Sequence, residues 1–237
     1  LAELAEARDD GDIEREPVVF YDGPLVASFA NSLGPETRDR YLSTVARIIA
    51  ASDSHRIPLI GYIAGSNATE LSKMTQLLFP EEFGSSRVIP DAHILTELMS
   101  PWGDATIPFI SKRDGSIDAL QTTYRGKQYE FRGDILFSYL KVPPGSGLDR
   151  IEFPGWLCRQ DGPEGYHSMY EYTLDIVRAE AGIGRGYPEI LQQADSDAVL
   201  DAHDRKQFNR IVQRWANSND VSLEWDAKAL SKELRRR

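Results

Sequence analysis

The stretch Pro17 to Gly23, PVVFYDG, decides the reading of the fold. PVVFY is a short continuous apolar run, and Asp22-Gly23 stops it, which predicts a buried strand that ends in a turn. Working outward, Gly34-Pro35 opens a helix with proline at the first helical position, and Tyr41, Val45, Ile48 and Ile49 recur on one face through Ala51. Ile57 to Ala64, IPLIGYIA, is a second buried strand. Asn67 stands where a cap belongs, with Glu70 three residues on at capping-box spacing, before Leu71, Met74, Leu77 and Leu78. Strand, helix, strand, helix favours an α/β fold built on a mixed sheet.

Further along, Asp91 follows Pro90 at the head of another helical pattern, Ile94, Leu95 and Leu98. From Thr106 to Val142 the texture changes: IPFI, the turn Arg113-Asp114-Gly115, and the segments QYEF and ILFSYLKV predict an antiparallel meander. Asp149 to Phe153, DRIEF, is one more strand, stopped by Pro154-Gly155. Beyond Ser168 the pattern is helical, over Met169 to Ala181, Pro188 to His203, Arg205 to Trp215 and a last helix into a basic tail. No internal repeat appears, and the candidate linkers at Pro143 to Gly147 and Arg159 to Gly165 are too short to separate independent domains.

Composition narrows the function classes. The 237 residues are 41% hydrophobic, enough for a sizeable core. No apolar run approaches the length of a spanning helix, so no membrane role is expected. The lone Cys158 cannot form an internal disulfide or a cysteine-based zinc site, and beside Trp156 and Leu157 it reads as core. With no apolar segment after a basic start, it points to a reducing, cytoplasmic compartment. The net charge of -10 opposes binding of nucleic acid by overall attraction. That charge is uneven: residues 1 to 16 hold seven acids and two bases, whereas residues 228 to 237 hold five bases and one acid.

Three acids carry the chemistry worth weighing. Asp22, at the carboxyl end of a buried strand beside a glycine, suits a hard divalent cation, or is simply a turn residue. Asp91 is a helix cap or a second ligand. Glu152, inside an otherwise apolar strand, alternates outward to solvent or faces a cation. No histidine pair, serine elbow or phosphate loop is present, so nucleophilic hydrolysis and nucleotide turnover have little support.

VVFYDGPLVASF at Val18 to Phe29, LIGYIAGS at Leu59 to Ser66, IPDAHILTEL at Ile89 to Leu98, DRIEFPGW at Asp149 to Trp156 and GYPEILQQADSDAVL at Gly186 to Leu200 resemble, in order, the segments of the NurA nuclease family. The resemblance runs from about Val18 to the carboxyl terminus. It implies a single nuclease domain over 17–237, behind an acidic extension over 1–16 that reads as a truncated helix. It implies a ribonuclease-H-like mixed sheet with flanking helices and a helical carboxyl-terminal part, manganese or magnesium, and cleavage of DNA in end processing and repair. A HerA-type hexameric ATPase and a second copy of the chain are the implied partners. Carried over residue by residue, it makes Asp22 the central metal ligand and Asp91 another. It marks Arg150, Glu152 and Pro154 as the R-I-E-x-P segment and Tyr187 as the tyrosine of G-Y-P. Arg150 would neutralise the scissile phosphate, or hold a structural ion pair with Asp149 or Glu152; Tyr187 would stack on a splayed base, or anchor a helix start.

The chain departs from the family pattern twice. An acid expected near the end of the second strand is replaced by Ala64, with Glu70 the nearest acid downstream. The Ala-His pair after G-Y-P reads Ala194-Asp195, which keeps an oxygen ligand and makes Asp195 the third candidate metal ligand. The expected catalytic set is Asp22, Asp91, Glu152 and Asp195. The other outcome is a catalytically impaired subunit that binds DNA or a translocase.

Overall fold

In the computed structural model, β1 (Val19–Asp22) lies parallel to β2 (Leu59–Ile63), in a register that sets Tyr21 beside Gly61 and Asp22 beside Tyr62. Residues 1–26, 28–84, 87–111, 121–131, 133–143, 147–198 and 202–219 are described. They fall into two compact units, Leu1–Gln193 and Ala194–Arg237.

The first unit begins with α1 (Ala2–Asp9) and is built on the expected opening pattern. Parallel neighbours need a crossover, and α2 (Pro35–His55) supplies it, with Pro35 in its first turn and Leu42, Val45, Ala46, Ile49 and Ala50 buried along one face. Next come α3 (Glu70–Leu78), α4 (Pro80–Phe83) and α5 (Asp91–Thr96). The expected cap of α3 is not formed as read: Thr69 holds the cap position with no side-chain bond. The chain then enters β3 (Phe109–Ile110), β4 (Gln121–Tyr124), β5 (Lys127–Glu130), β6 (Ile135–Lys141) and β7 (Leu148–Pro154).

The expected meander divides. Among the described residues β4 and β5 pair only with each other, as a hairpin, while β6 and β3 join the main sheet in the order β1-β2-β7-β6-β3. The turn predicted at Arg113 to Gly115 lies outside the described residues. The result is a five-stranded mixed sheet flanked by helices, compatible with a ribonuclease-H-like fold.

β7 sits in the middle and pairs antiparallel with both β2 and β6. All seven of its residues are buried. Strand alternation sends successive side chains to opposite faces. On one face Ile151 and Phe153 join Ile60, Tyr62 and the buried side of α7 (Met169–Ile183). The other face, which Arg150 and Glu152 share, is covered by α2, the β4–β5 hairpin and Leu25-Val26. Covering both faces is what forces Asp149, Arg150 and Glu152 out of water.

After β7, the one-turn α6 (Trp156–Arg159) buries Trp156 and Leu157 and leaves Cys158 exposed, so the cysteine is not core. α8 (Glu189–Asp197) follows α7. α9 (Ala202–Ser218) belongs to the second unit. Tyr170 and Tyr172 are buried in α7 and Tyr166 packs against the same core, so these aromatics are spent on the interior. The helix expected in the basic tail, with Trp225, lies outside the described residues.

Candidate active site

Asp22 closes β1 with its side chain exposed. The phenol of Tyr187, 165 positions along the chain, donates a 3.0 Å hydrogen bond to its Oδ1. Local backbone makes the meeting possible. Arg185 and Gly186 take positive φ angles, 55° and 114°, and turn the chain back after α7. The Tyr187 ring then stands edge-on to Tyr62, 5.6 Å between centroids. Tyr62 in turn donates its hydroxyl to Asp149 Oδ2, and the Gly65 amide donates to Oδ1 at 3.0 Å. Burial pushes the Asp149 carboxyl up from its usual range, against the lowering effect of these two donors. It pushes the Tyr62 phenol up too, with the Asp149 charge adding to it.

Beneath this rim a second network is closed to solvent. Arg150 and Glu152 are fully buried, and Arg150 Nε donates to Glu152 Oε1 at 2.9 Å. Its Nη2 lies 2.7 Å from Glu70 Oε2, and the guanidinium stacks 3.7 Å above the Phe137 ring. Burial works against the charge of Arg150, but Glu152 and Glu70 outweigh it and raise its pKa. Glu152 Oε2 accepts from the Val26 amide at 2.9 Å, which ties the loop after Asp22 to the middle of the sheet. The loop passes so close to β2 that a Cβ on Gly61 would stand 2.7 Å from the Gly23 carbonyl oxygen. Gly61 is therefore the residue that lets the Asp22 loop fold back over the strand.

Asp91 is buried and does other work. Its Oδ1 accepts from the Ser72 amide at 2.9 Å, and its Oδ2 from the Leu71 amide at 3.1 Å and the Tyr139 hydroxyl at 2.9 Å. A carboxylate from 20 positions away thus caps α3 at the amides a local cap would have served. Glu70 is freed from that task and turns inward to Arg150 and to the Ser111 hydroxyl, 3.0 Å from its Oε1.

Residues 1–200 match the NurA domain. The chain belongs to the NurA family. NurA proteins are nucleases of DNA end processing, generally dependent on a divalent metal and associated with HerA-type ATPases. The matched range takes in the acidic first 16 residues. No curated protein and no solved structure matches the chain.

Against that family requirement the candidate residues separate. Asp22 and Tyr187 come together at the rim, and Arg150 and Glu152 come together in the interior. Arg150 is enclosed between two carboxylates and an aromatic ring, away from any phosphate at the surface. Glu152 does face a cation, as one of the two expectations for it held, but the cation is this arginine. Asp195 is exposed on α8 and belongs to the second unit. Ala64 leaves the end of β2 without an acid.

A hard dication takes six or more oxygen ligands, and Asp91 and Glu152 already spend both oxygens on internal donors. Among the described residues no three His, Cys, Asp or Glu side chains group closely enough to hold a metal ion. The donor set, so arranged, does not fit a divalent cation. The network residues Glu70, Tyr139, Asp149 and Gly61 escaped sequence reasoning as members of the site. Only Glu70 gave a signal, as the first acid after the missing one at Ala64.

Proposed function

We propose that this NurA domain hydrolyses phosphodiester bonds of single-stranded or end-exposed DNA during end processing, with its reactive rim at Asp22 and Tyr187. The observation that carries the reading is the convergence of these two residues, 165 positions apart, at an exposed strand end 3.0 Å from one another. Carboxyl ends of strands in open α/β sheets are where ligands bind. Asp22 presents an exposed carboxylate. Tyr187 fixes one of its oxygens and offers an aromatic edge on which an unpaired base can stack. Hydrolysis adds water across one phosphorus–oxygen ester bond, leaving a phosphate on one fragment and a hydroxyl on the other.

The family generally depends on a divalent metal, and manganese or magnesium at this site would need donors other than Asp91 and Glu152. A HerA-type ATPase that delivers the strand, and a second copy of the chain, complete the proposal, in a cytoplasmic setting. The exposed apolar side chains of Leu77, Leu78, Phe79 and Leu98 support a protein interface of that kind. No described helix is long and apolar enough to cross a membrane.

The commitment of Asp91 and Glu152 to internal hydrogen bonds favours a second reading, an impaired subunit that keeps the fold and its partners without cleaving. One experiment separates the two. Degradation of end-labelled single-stranded DNA is followed across manganese and magnesium concentrations for the wild type and for Asp22→Asn. The nuclease reading expects cleavage by the wild type that Asp22→Asn abolishes. Equal, background-level cleavage by both would leave the impaired subunit standing.

A further inference from the structure

The end of the sheet remote from Asp22 holds a cleft of about 280 Å³, lined by Asp53, Arg56, Lys127, Trp156, Arg159 and Gln160. The topology puts it there. Arg56 lies three residues before Leu59, the first residue of β2, and Trp156 two residues after Pro154, the last of β7, which lies beside that start because Gly61 pairs with Glu152. Lys127 opens β5 of the hairpin that packs over α2.

Among the described residues the cations of this cleft outnumber their carboxylate partners. Arg56 Nη1 meets Asp53 Oδ1 at 2.6 Å, and Lys127 Nζ lies 3.6 Å from the other oxygen of the same carboxylate. Arg159 Nη1 meets Asp134 Oδ1 at 2.7 Å. Three cations thus share two carboxylates. Their heads are held over aromatic surface, Arg56 5.3 Å from the Trp156 ring and Lys127 4.5 Å from that of Tyr129, with all three side chains still about half exposed or more.

The backbone gives an independent indication. Arg56 ends α2 at φ 55°, and Arg125 turns the β4–β5 hairpin at φ 50° next to Gly126 at 77°. Both are positions where glycine or asparagine relieves the left-handed strain. At Arg56 the strained position carries a guanidinium that lines the cleft.

We propose that this cleft binds the phosphodiester backbone of a nucleic-acid strand, through Arg56, Lys127 and Arg159, at a site separate from the Asp22 rim. The choice of nucleic acid among phosphate-bearing ligands rests on the DNA-processing reading above; the preference for an anion rests on the cleft alone. The acidic protein thereby gains a local foothold that its net charge of -10 conceals.

The test is fluorescence anisotropy of a labelled single-stranded oligonucleotide, in EDTA, from about 20 to about 200 mM salt. It compares the wild type, Arg56→Gly, Lys127→Gln with Arg159→Gln, and Asp22→Asn, with inorganic pyrophosphate as competitor. Each lost phosphate contact should flatten the log–log salt dependence by about 0.7 and weaken binding near 0.1 M salt about fivefold. Arg56→Gly is expected to leave the melting temperature close to that of the wild type, since the relief of strain at φ 55° offsets the lost pair with Asp53, so its loss of binding is not unfolding. Asp22→Asn reads the rim's own share of binding in EDTA, which should be smaller than the share lost in the cleft variants. Cleft variants that bind like the wild type while Asp22→Asn fails would overturn the cleft and leave the rim reading intact. Binding of pyrophosphate without binding of the oligonucleotide would overturn a nucleic-acid ligand. No binding of either would overturn the proposal outright, and the cleavage assay on Asp22→Asn would still decide the rim separately.

Discussion

Replacing Arg150 with methionine would leave Glu152 buried with its charge uncompensated and Glu70 facing an apolar wall. Breaking one side of a buried ion pair costs about 3–5 kcal/mol, so Arg150→Met should shift the denaturant midpoint strongly downward, and Glu152→Gln added to it should recover part of the loss. An unchanged midpoint for Arg150→Met would show that the guanidinium does not neutralise these carboxylates. Asp149 makes the pH prediction. Burial raises its carboxyl pKa in the folded state, so the native state holds that proton more tightly than the unfolded chain. The associated stability is fully present below the unfolded value of about 3.9 and is lost as pH rises through the higher folded value. The stability of the wild type relative to Asp149→Asn should therefore increase from neutral pH toward about pH 4. A difference that stays flat with pH would contradict the burial effect. The Arg150–Glu152 pair was one of two readings of DRIEF at Asp149 to Phe153, but the burial of these residues was not readable there, because alternation along a strand says which residues share a face and not what covers it.

At the scale of elements, α3 depends on a cap lent by another helix. Asp91→Ala removes the acceptor for the Leu71 and Ser72 amides and for the buried Tyr139 hydroxyl. A lost cap costs about 0.5–2 kcal/mol, and each buried donor left without a partner about 1–3 kcal/mol. Hydrogen exchange at the Leu71 and Ser72 amides should accelerate well beyond that of amides in α7; equal protection in variant and wild type would mean the cap is dispensable. Gly61→Ala should cost about 1–3 kcal/mol through overpacking, because the new methyl meets the Gly23 carbonyl and Leu25. It should also shift the Asp22 loop, seen as a change in amide chemical shifts at Gly23 and Leu25. The elements themselves were largely legible. β1, α2, β2, β7 and α7 follow from short apolar runs and helical spacing, since burying one face is what those periods accomplish. The cap was not, because a carboxylate arriving from 20 residues away leaves no local spacing to read. The meander was misjudged for a related reason: β4 and β5 pair locally, and nothing in their alternation names the sheet they join.

For the whole molecule, metal binding is the discriminating measurement. A ligand that binds only the native state stabilises it by about 2.7 kcal/mol at a hundred times its dissociation constant. With Asp91 and Glu152 committed internally, manganese at about 1 mM should raise the unfolding free energy by less than about 1 kcal/mol. A larger rise that disappears in Asp91→Asn or Glu152→Gln would show that these carboxylates release their donors to an ion. The sequence by itself determined the α/β class, the family and the few residues around which a site could form, because periodicity and ordered short motifs are properties of the chain alone. It also exposed the two departures, Ala64 and Asp195. Only the tertiary structure decided what each acid does. Asp22 keeps an open carboxylate at a strand end, whereas Asp91 is spent on backbone amides and Glu152 on an arginine. A carboxylate's role is set by the donors packed against it, and in this chain those donors come from distant segments.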